Sequence, residues 1–157
     1  MVNPIETFKY YSTKTYGHDR GFTAVFRQPN ATHSHCSLLH GYALAFSFKF
    51  GCHSLDDKNW VMDFGGLKEL KNWLEINFDH TVVVDRNDPK IQDIIEMENQ
   101  GLARVIVLDG VGCEKFAEHA FHYANDLVKK LTNNRVFCVS CEVKEHGANS
   151  AIYEANL

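Results

Sequence analysis

An α+β fold of hairpin strands and two main helices is predicted by three features of the chain. His40–Phe50 alternates at period two, Val136–Glu145 does so again, and between them two stretches place apolar residues at helical spacing. In the first strand His40, Tyr42, Leu44, Phe46, Phe48 and Phe50 share one face, so His40 and Tyr42 sit at one end of an apolar surface. In the second, Phe137, Val139, Cys141 and Val143 line one face, and Glu145 continues it at its end.

The remaining elements follow in order. Gly21–Gln28 reads as a strand with Phe22, Ala24 and Phe26 on one side, followed by a loop over Pro29–Ser37 that carries His33, Ser34, His35 and Cys36. Gly51–Asn59 has turn composition. Asp63 is placed to cap a helix whose stripe is Phe64, Leu67, Leu70, Lys71 and Leu74, ending near Asn77. Thr81–Val84 is a short buried strand, Arg86–Pro89 a turn, Lys90–Asn99 a short helix and Arg104–Leu108 an apolar, β-branched segment. Glu114–Leu131 is the second long helix, and Ala151–Ala155 a last strand. The order is β-β-α-(α/β)-α-β-β, within a single domain spanning 1–157.

Composition narrows the function. Hydrophobic residues make up 45% of the chain, enough for a packed core rather than a disordered chain. With 16 Lys+Arg against 20 Asp+Glu the net charge is −4, and no basic run suggests nucleic acid. No apolar stretch approaches the ~20 residues that span a bilayer, and the N-terminus lacks a secretory pattern, so a cytoplasmic location is expected. Five cysteines without a disulfide-like spacing fit a reducing compartment. Nine histidines make proton-transfer or metal chemistry worth seeking.

Several residues could carry chemistry. Cys36 lies in a polar, His-flanked loop, where a thiolate forms more readily than in a core. Asp79 adjoins His80 and could fix its tautomer, although neighbours in sequence often point apart; the alternative is a histidine ending a helix beside a surface carboxylate. His40 is either a satisfied core histidine or a ligand. Glu145 either reaches solvent at a strand end or awaits the N–H donors of a ligand. Cys138 and Cys141 would face opposite sides of a regular strand, so they read as packing.

Taken together, these segments resemble the 6-pyruvoyl-tetrahydropterin synthase / 6-carboxy-tetrahydropterin synthase family of the tunnelling fold, over roughly residues 20–155. Trp60–Lys68, which contains Asp63, Phe64, Leu67 and Lys68, matches the family's hydrophobic-x-Asp-Phe-x-x-Leu-Lys segment. Phe78-Asp79-His80 matches its Leu-Asp-His, and Cys36–Gly41 its Cys-x-x-Leu-His-Gly. Cys113–Ala117 resembles the end of its Pro-Thr-x-Glu-Asn-x-Ala block, and Val143-Lys144-Glu145 its Val-x-Glu-Thr strand end.

The resemblance implies a ββααββ subunit with an antiparallel sheet and two main helices on one face. Three subunits would form a barrel and two trimers a hexamer, with active sites at subunit interfaces. It implies a small pterin substrate, 7,8-dihydroneopterin triphosphate, that loses triphosphate through proton transfers; the carboxy-pterin branch leads towards 7-deazaguanine products. By position, Cys36 would be the acid/base thiol, with Asp79 and His80 its partners from a neighbouring subunit. Glu145 would hold the pterin's paired N–H donors, supported by Glu114.

The resemblance breaks at the metal. The family binds zinc through three histidines; the corresponding residues here are Phe26, His40 and Tyr42. Zinc usually needs three protein ligands. Either His33 or His35 substitutes, with Tyr42 oxygen, or the Cys/Asp/His group works without metal, or the protein is a non-catalytic binder of pterins or purines. A different side-chain chemistry, aldol cleavage or epimerisation, is a further alternative. Two other departures point to an altered pocket: His146 follows Glu145 where the family has Thr, and Val111-Gly112 replaces Pro-Thr. His146 could contact the substrate or be a plain loop histidine.

Overall fold

A computed structural model describes residues 7–155. Its longest strand, β3 (His40–Cys52), organises the sheet. Two strands follow one another antiparallel to β3. β1 (Tyr10–Tyr16) pairs with its second half, from Tyr10↔Cys52 to Tyr16↔Phe46, and β2 (Phe22–Phe26) with its first half, from Phe22↔Leu44 to Phe26↔His40. Against the other half-sheet run β6 (Phe137–His146) and then β7 (Asn149–Glu154), both antiparallel. On the far side of β2 lie β4 (Thr81–Asp85) and β5 (Val105–Leu108), each parallel to its neighbour. The sheet is therefore mixed, not wholly antiparallel as expected. Parallel pairing requires crossovers, and the segments between β2, β4 and β5 supply them.

Three helices complete the chain: α1 (Lys68–Phe78), α2 (Ile91–Asn99) and α3 (Cys113–Leu131). The main core forms where α1 and α3 cover the face carrying Phe22, Phe26, Phe46, Phe48 and Phe50, all at most 2% exposed. Leu70, Leu74 and Phe78 of α1 and Phe116, Ala120 and Ala124 of α3 complete it. The short α2 packs elsewhere. Val82 and Val84 point to Ile94 of α2, while Val83 points to the main core, as period two requires.

Local chemistry sets the boundaries. Asp63 caps as expected, accepting from the Gly65 N–H at 2.8 Å. The turn it opens is a 3-10 helix, Phe64–Leu67, because Gly65-Gly66 resists α-helix; α1 proper begins at Lys68. β1 was not anticipated at all. Its residues are mostly exposed or half-buried, so no apolar alternation marks it.

One correction concerns β6. Its register against β3 steps from Lys49↔Ser140 to Phe50↔Cys138, so Val139 is the extra residue of a β-bulge. The bulge places Cys138 and Cys141 opposite Phe50 and Phe48, on the same core face and not on opposite ones. Phe137 is turned to the other side, opposite Gly51, where it stacks on Phe8 at 5.6 Å. Both cysteines remain packing residues. They form no disulfide, are at most 1% exposed, and burial pushes their thiols up, that of Cys138 to about 12.

Candidate functional site around Tyr42 and Glu145

The main core does not close at the His40 end of β3. Phe26 is the last fully buried side chain there, with its ring 5.0 Å from His40, 6.1 Å from Tyr42 and 5.1 Å from Phe116. His40 and Tyr42 meet edge to face at 5.5 Å and are half-buried. The Nδ1–H of His40 donates to the Leu38 carbonyl at 2.7 Å, which fixes the tautomer and leaves Nε2 free of that proton. The apolar face thus ends in a small aromatic shelf on rigid strands.

Polar groups converge on the Tyr42 phenol. Glu145, Cys36 and Cys113 all lie close enough for their charge to act on it and, together with the larger effect of burial, hold its pKa above the usual tyrosine value. Cys36 comes from the 29–37 loop, Glu145 from the end of β6 and Cys113 from the first turn of α3. Glu145 is half-buried; His146, beyond it, is exposed with its ring 6.2 Å from Tyr42. Three segments remote in sequence thus come within electrostatic reach of the Tyr42 phenol, among them those that carry Cys36 and Glu145.

Cys113 was not foreseen. It is 6% exposed and lies close enough to Glu145 for the two to influence each other. Burial, then the charges of Glu145 and Glu114, push it up to about 12, so it stays a neutral donor. Its position in the Cys113–Ala117 motif gave no hint of this, because the contact spans 32 residues. Glu114 itself is exposed on the same turn.

The Cys36 loop is anchored by two residues also missed from sequence. The Gln28 backbone N–H donates to the Cys36 carbonyl at 2.7 Å, and its side-chain amide donates to the Val111 carbonyl at 2.7 Å. Gln28 thus ties the loop to the start of α3. A Cβ on Gly112 (φ +105°) would lie 2.5 Å from that amide, which accounts for glycine there in place of a larger residue. Arg27 makes a two-pronged ion pair with Asp88, at 2.6 and 2.8 Å, and also donates to the Ser37 carbonyl. Cys36 itself is exposed, its N–H held by Ser34 Oγ at 3.1 Å.

Asp79 and His80 form the expected pair, His80 Nδ1–H donating to Asp79 Oδ1 at 2.6 Å. Adjacency works here because His80 adopts a left-handed backbone (φ 56°), reversing the chain between α1 and β4. Arg104 secures the turn, donating to the carbonyls of Glu75 (3.0 Å) and Asp79 (2.6 Å). These residues, with Ile76, line an open cleft of about 450 Å³. Thr81 pairs with Ala24, itself paired with Tyr42 on its other side, so the cleft opens at the start of β4, two strands from β3. Its lining does not include Tyr42, Cys36 or Glu145.

The donor set does not suit the family's zinc. Phe26 supplies no ligand and fills its corner; His40 supplies one imidazole; Tyr42 supplies a phenol. His33 and His35 are exposed on the loop and do not complete a triad with His40. Among the described residues no three His, Cys, Asp or Glu side chains are arranged to hold a metal. Nor is any helix among them long and apolar enough to cross a membrane.

Comparison with known proteins agrees with this architecture. The family model for 6-pyruvoyl tetrahydropterin synthase matches residues 17–156. Proteins named 6-carboxy-5,6,7,8-tetrahydropterin synthase from Rickettsia conorii (32% identical over 115 residues) and Rickettsia bellii (28% over 106) each match 67% of this chain and 74% of their own length. An uncharacterized protein from Wolinella succinogenes shares the fold, with a TM-score of 0.77 at 17% identity, covering 94% of this chain and 98% of that one. So does a Plasmodium vivax 6-pyruvoyltetrahydropterin synthase, at 0.65 and 14% identity, covering 95% and 100%. With motifs, strand pairing and family model in agreement, the chain belongs to the 6-pyruvoyl tetrahydropterin synthase family.

Proposed function

We propose that the protein is a pterin-site lyase of the 6-carboxy/6-pyruvoyl-tetrahydropterin synthase type, acting on 7,8-dihydroneopterin triphosphate. The observation that supports it most directly is that Glu145 and Cys36 both lie within electrostatic reach of Tyr42 at the aromatic end of β3. A carboxylate offers two acceptor oxygens to the paired N–H donors of an aminopyrimidinone edge, and the half-buried rings of Tyr42 and His40, backed by the buried Phe26, provide an aromatic wall beside it. Glu114 and His146 stand on the rim, where they can contact the bound molecule.

In this reading Cys36 moves a proton at the substrate's side chain. Loss of a proton from a carbon there leaves an electron pair that expels triphosphate from the neighbouring carbon. Such a step needs a base poised near neutral pH, a role suited to an imidazole held by a carboxylate. Asp79 and His80 have that form, and a neighbouring chain brings them to the site. That arrangement implies an oligomer, a trimer or a hexamer of two trimers.

Incubation with 7,8-dihydroneopterin triphosphate, followed by mass spectrometry, tests the reading. Release of triphosphate with a 6-pyruvoyl-tetrahydropterin, or of triphosphate and acetaldehyde with a 6-carboxy-tetrahydropterin, abolished by Cys36→Ala, is expected. Phe26 and Tyr42 at two ligand positions favour one rival, a non-catalytic pterin- or purine-binding protein. Tight binding without triphosphate release would establish it.

A further inference from the structure

We propose that the Phe26–His40–Tyr42 corner is a metal-free substrate surface in which the Tyr42 hydroxyl donates a hydrogen bond to an oxygen of the ligand's side chain. The inference rests on the pterin reading above and assigns the residue that meets the part of the ligand Glu145 does not hold.

Phe26 pairs with His40 and Ala24 with Tyr42, so the three aromatic side chains share one face of β2 and β3. Phe26 is 2% exposed and wedged between His40 and Phe116, which leaves no room for a hydrated cation at its corner. His40 can present one ring nitrogen, because the other is committed to the Leu38 carbonyl. The third position holds a neutral phenol, a poor substitute for an imidazole as a zinc ligand.

What the corner does offer is one O–H donor on a rigid strand, set against apolar rings. Such a donor suits a hydroxyl or carbonyl oxygen carried by a flat heterocycle, and no sequence-adjacent group competes for it. No hydrogen bond within the protein engages Tyr42 Oη among the described residues. The heterocycle and its side chain therefore divide between Glu145 and Tyr42.

Two measurements test this separately. The first is zinc titration of the intact protein by calorimetry, with elemental analysis. Wild type is expected to hold well under one zinc per chain at micromolar metal, and the Phe26→His/Tyr42→His double variant to bind at least a hundredfold more tightly. Tyr42→His alone, which leaves the core intact, should gain a smaller increment should the double variant fail to fold. One tightly held zinc per wild-type chain would overturn the metal-free assignment whatever the pterin results.

The second compares 7,8-dihydroneopterin with pterin lacking a side chain, in wild type and Tyr42→Phe. The variant should lose about tenfold in affinity for the hydroxylated ligand and less than twofold for the bare one. Equal effects on both ligands, or none, would overturn the Tyr42 contact while leaving the pterin reading standing. Failure of wild type to bind either ligand would sink the pterin reading and the Tyr42 contact together, and the zinc titration would still decide the metal question.

Discussion

Glu145 sits where an apolar strand face meets solvent, and the Cys113 thiol near it is at most a weak donor that leaves the carboxylate largely unsatisfied by the protein. Such a carboxylate gains from a ligand with two N–H groups, since hydrogen bonds to charged groups contribute about 1.5–3 kcal/mol each. Glu145→Gln should therefore weaken pterin binding by more than tenfold in calorimetry; unchanged affinity would remove Glu145 from the site. A second expectation concerns the five thiols. Cys36 is exposed, while Cys52, Cys113, Cys138 and Cys141 are buried, and burial pushes each of those four above the ordinary thiol range. A haloacetamide at neutral pH should add one adduct per folded chain, lost in Cys36→Ala; two adducts on the folded protein would contradict the burial of the others. At this scale Cys36 and Glu145 were legible because each sits at a marked place, a polar loop and the end of an alternating strand. Cys113 and Gln28 were not, because their partners lie 32 and 83 residues away and nothing local distinguishes them.

Between elements, the Arg27–Asp88 pair links the end of β2 to the turn before α2, and Arg27 passes the restraint on to the Cys36 loop through Ser37. The Asp88 side chain is 1% exposed and that of Arg27 21%. Hydrogen bonds from Arg27 hold the Asp88 carboxyl below its ordinary range against the opposing effect of burial. A lowered folded pKa means the pair stabilises above the unfolded carboxylate value, about 3.9, and the contribution fades as pH falls through the folded value. Asp88→Asn should cost about 3 kcal/mol in chemical denaturation at pH 7, the low end for breaking a buried pair, with the difference from wild type shrinking below pH 4. An equal cost at pH 7 and pH 2.5 would show that the charge is not the cause. Periodicity exposed β3, β4 and α3 because each buries a continuous stripe. It missed β1, an edge strand with little to bury, and misassigned β6, because one bulged residue inverts every inference that depends on counting by two.

For the whole molecule, the proposed chemistry needs groups that one chain holds apart. Cys36 and Glu145 lie within electrostatic reach of Tyr42, while Asp79 and His80 line a separate open cleft at the start of β4. Closed symmetry can bring the cleft of one chain to the aromatic shelf of the next, and β1 and β7, each paired on one side only among the described residues, offer strand edges for joining chains. Shared sites make a specific demand. Cys36→Ala and His80→Ala proteins should each be inactive alone. Unfolded together and refolded, they should regain about a quarter of wild-type turnover, because with random mixing in a symmetric ring that fraction of sites pairs an intact Cys36 with an intact His80. Native mass spectrometry should find the recovered activity in assemblies of three or six chains, not in the 17.9 kDa monomer. Mixed assemblies that stay inactive would mean that Cys36 and His80 do not serve one site, and His80 would then belong to the fold of the α1–β4 turn rather than to the chemistry.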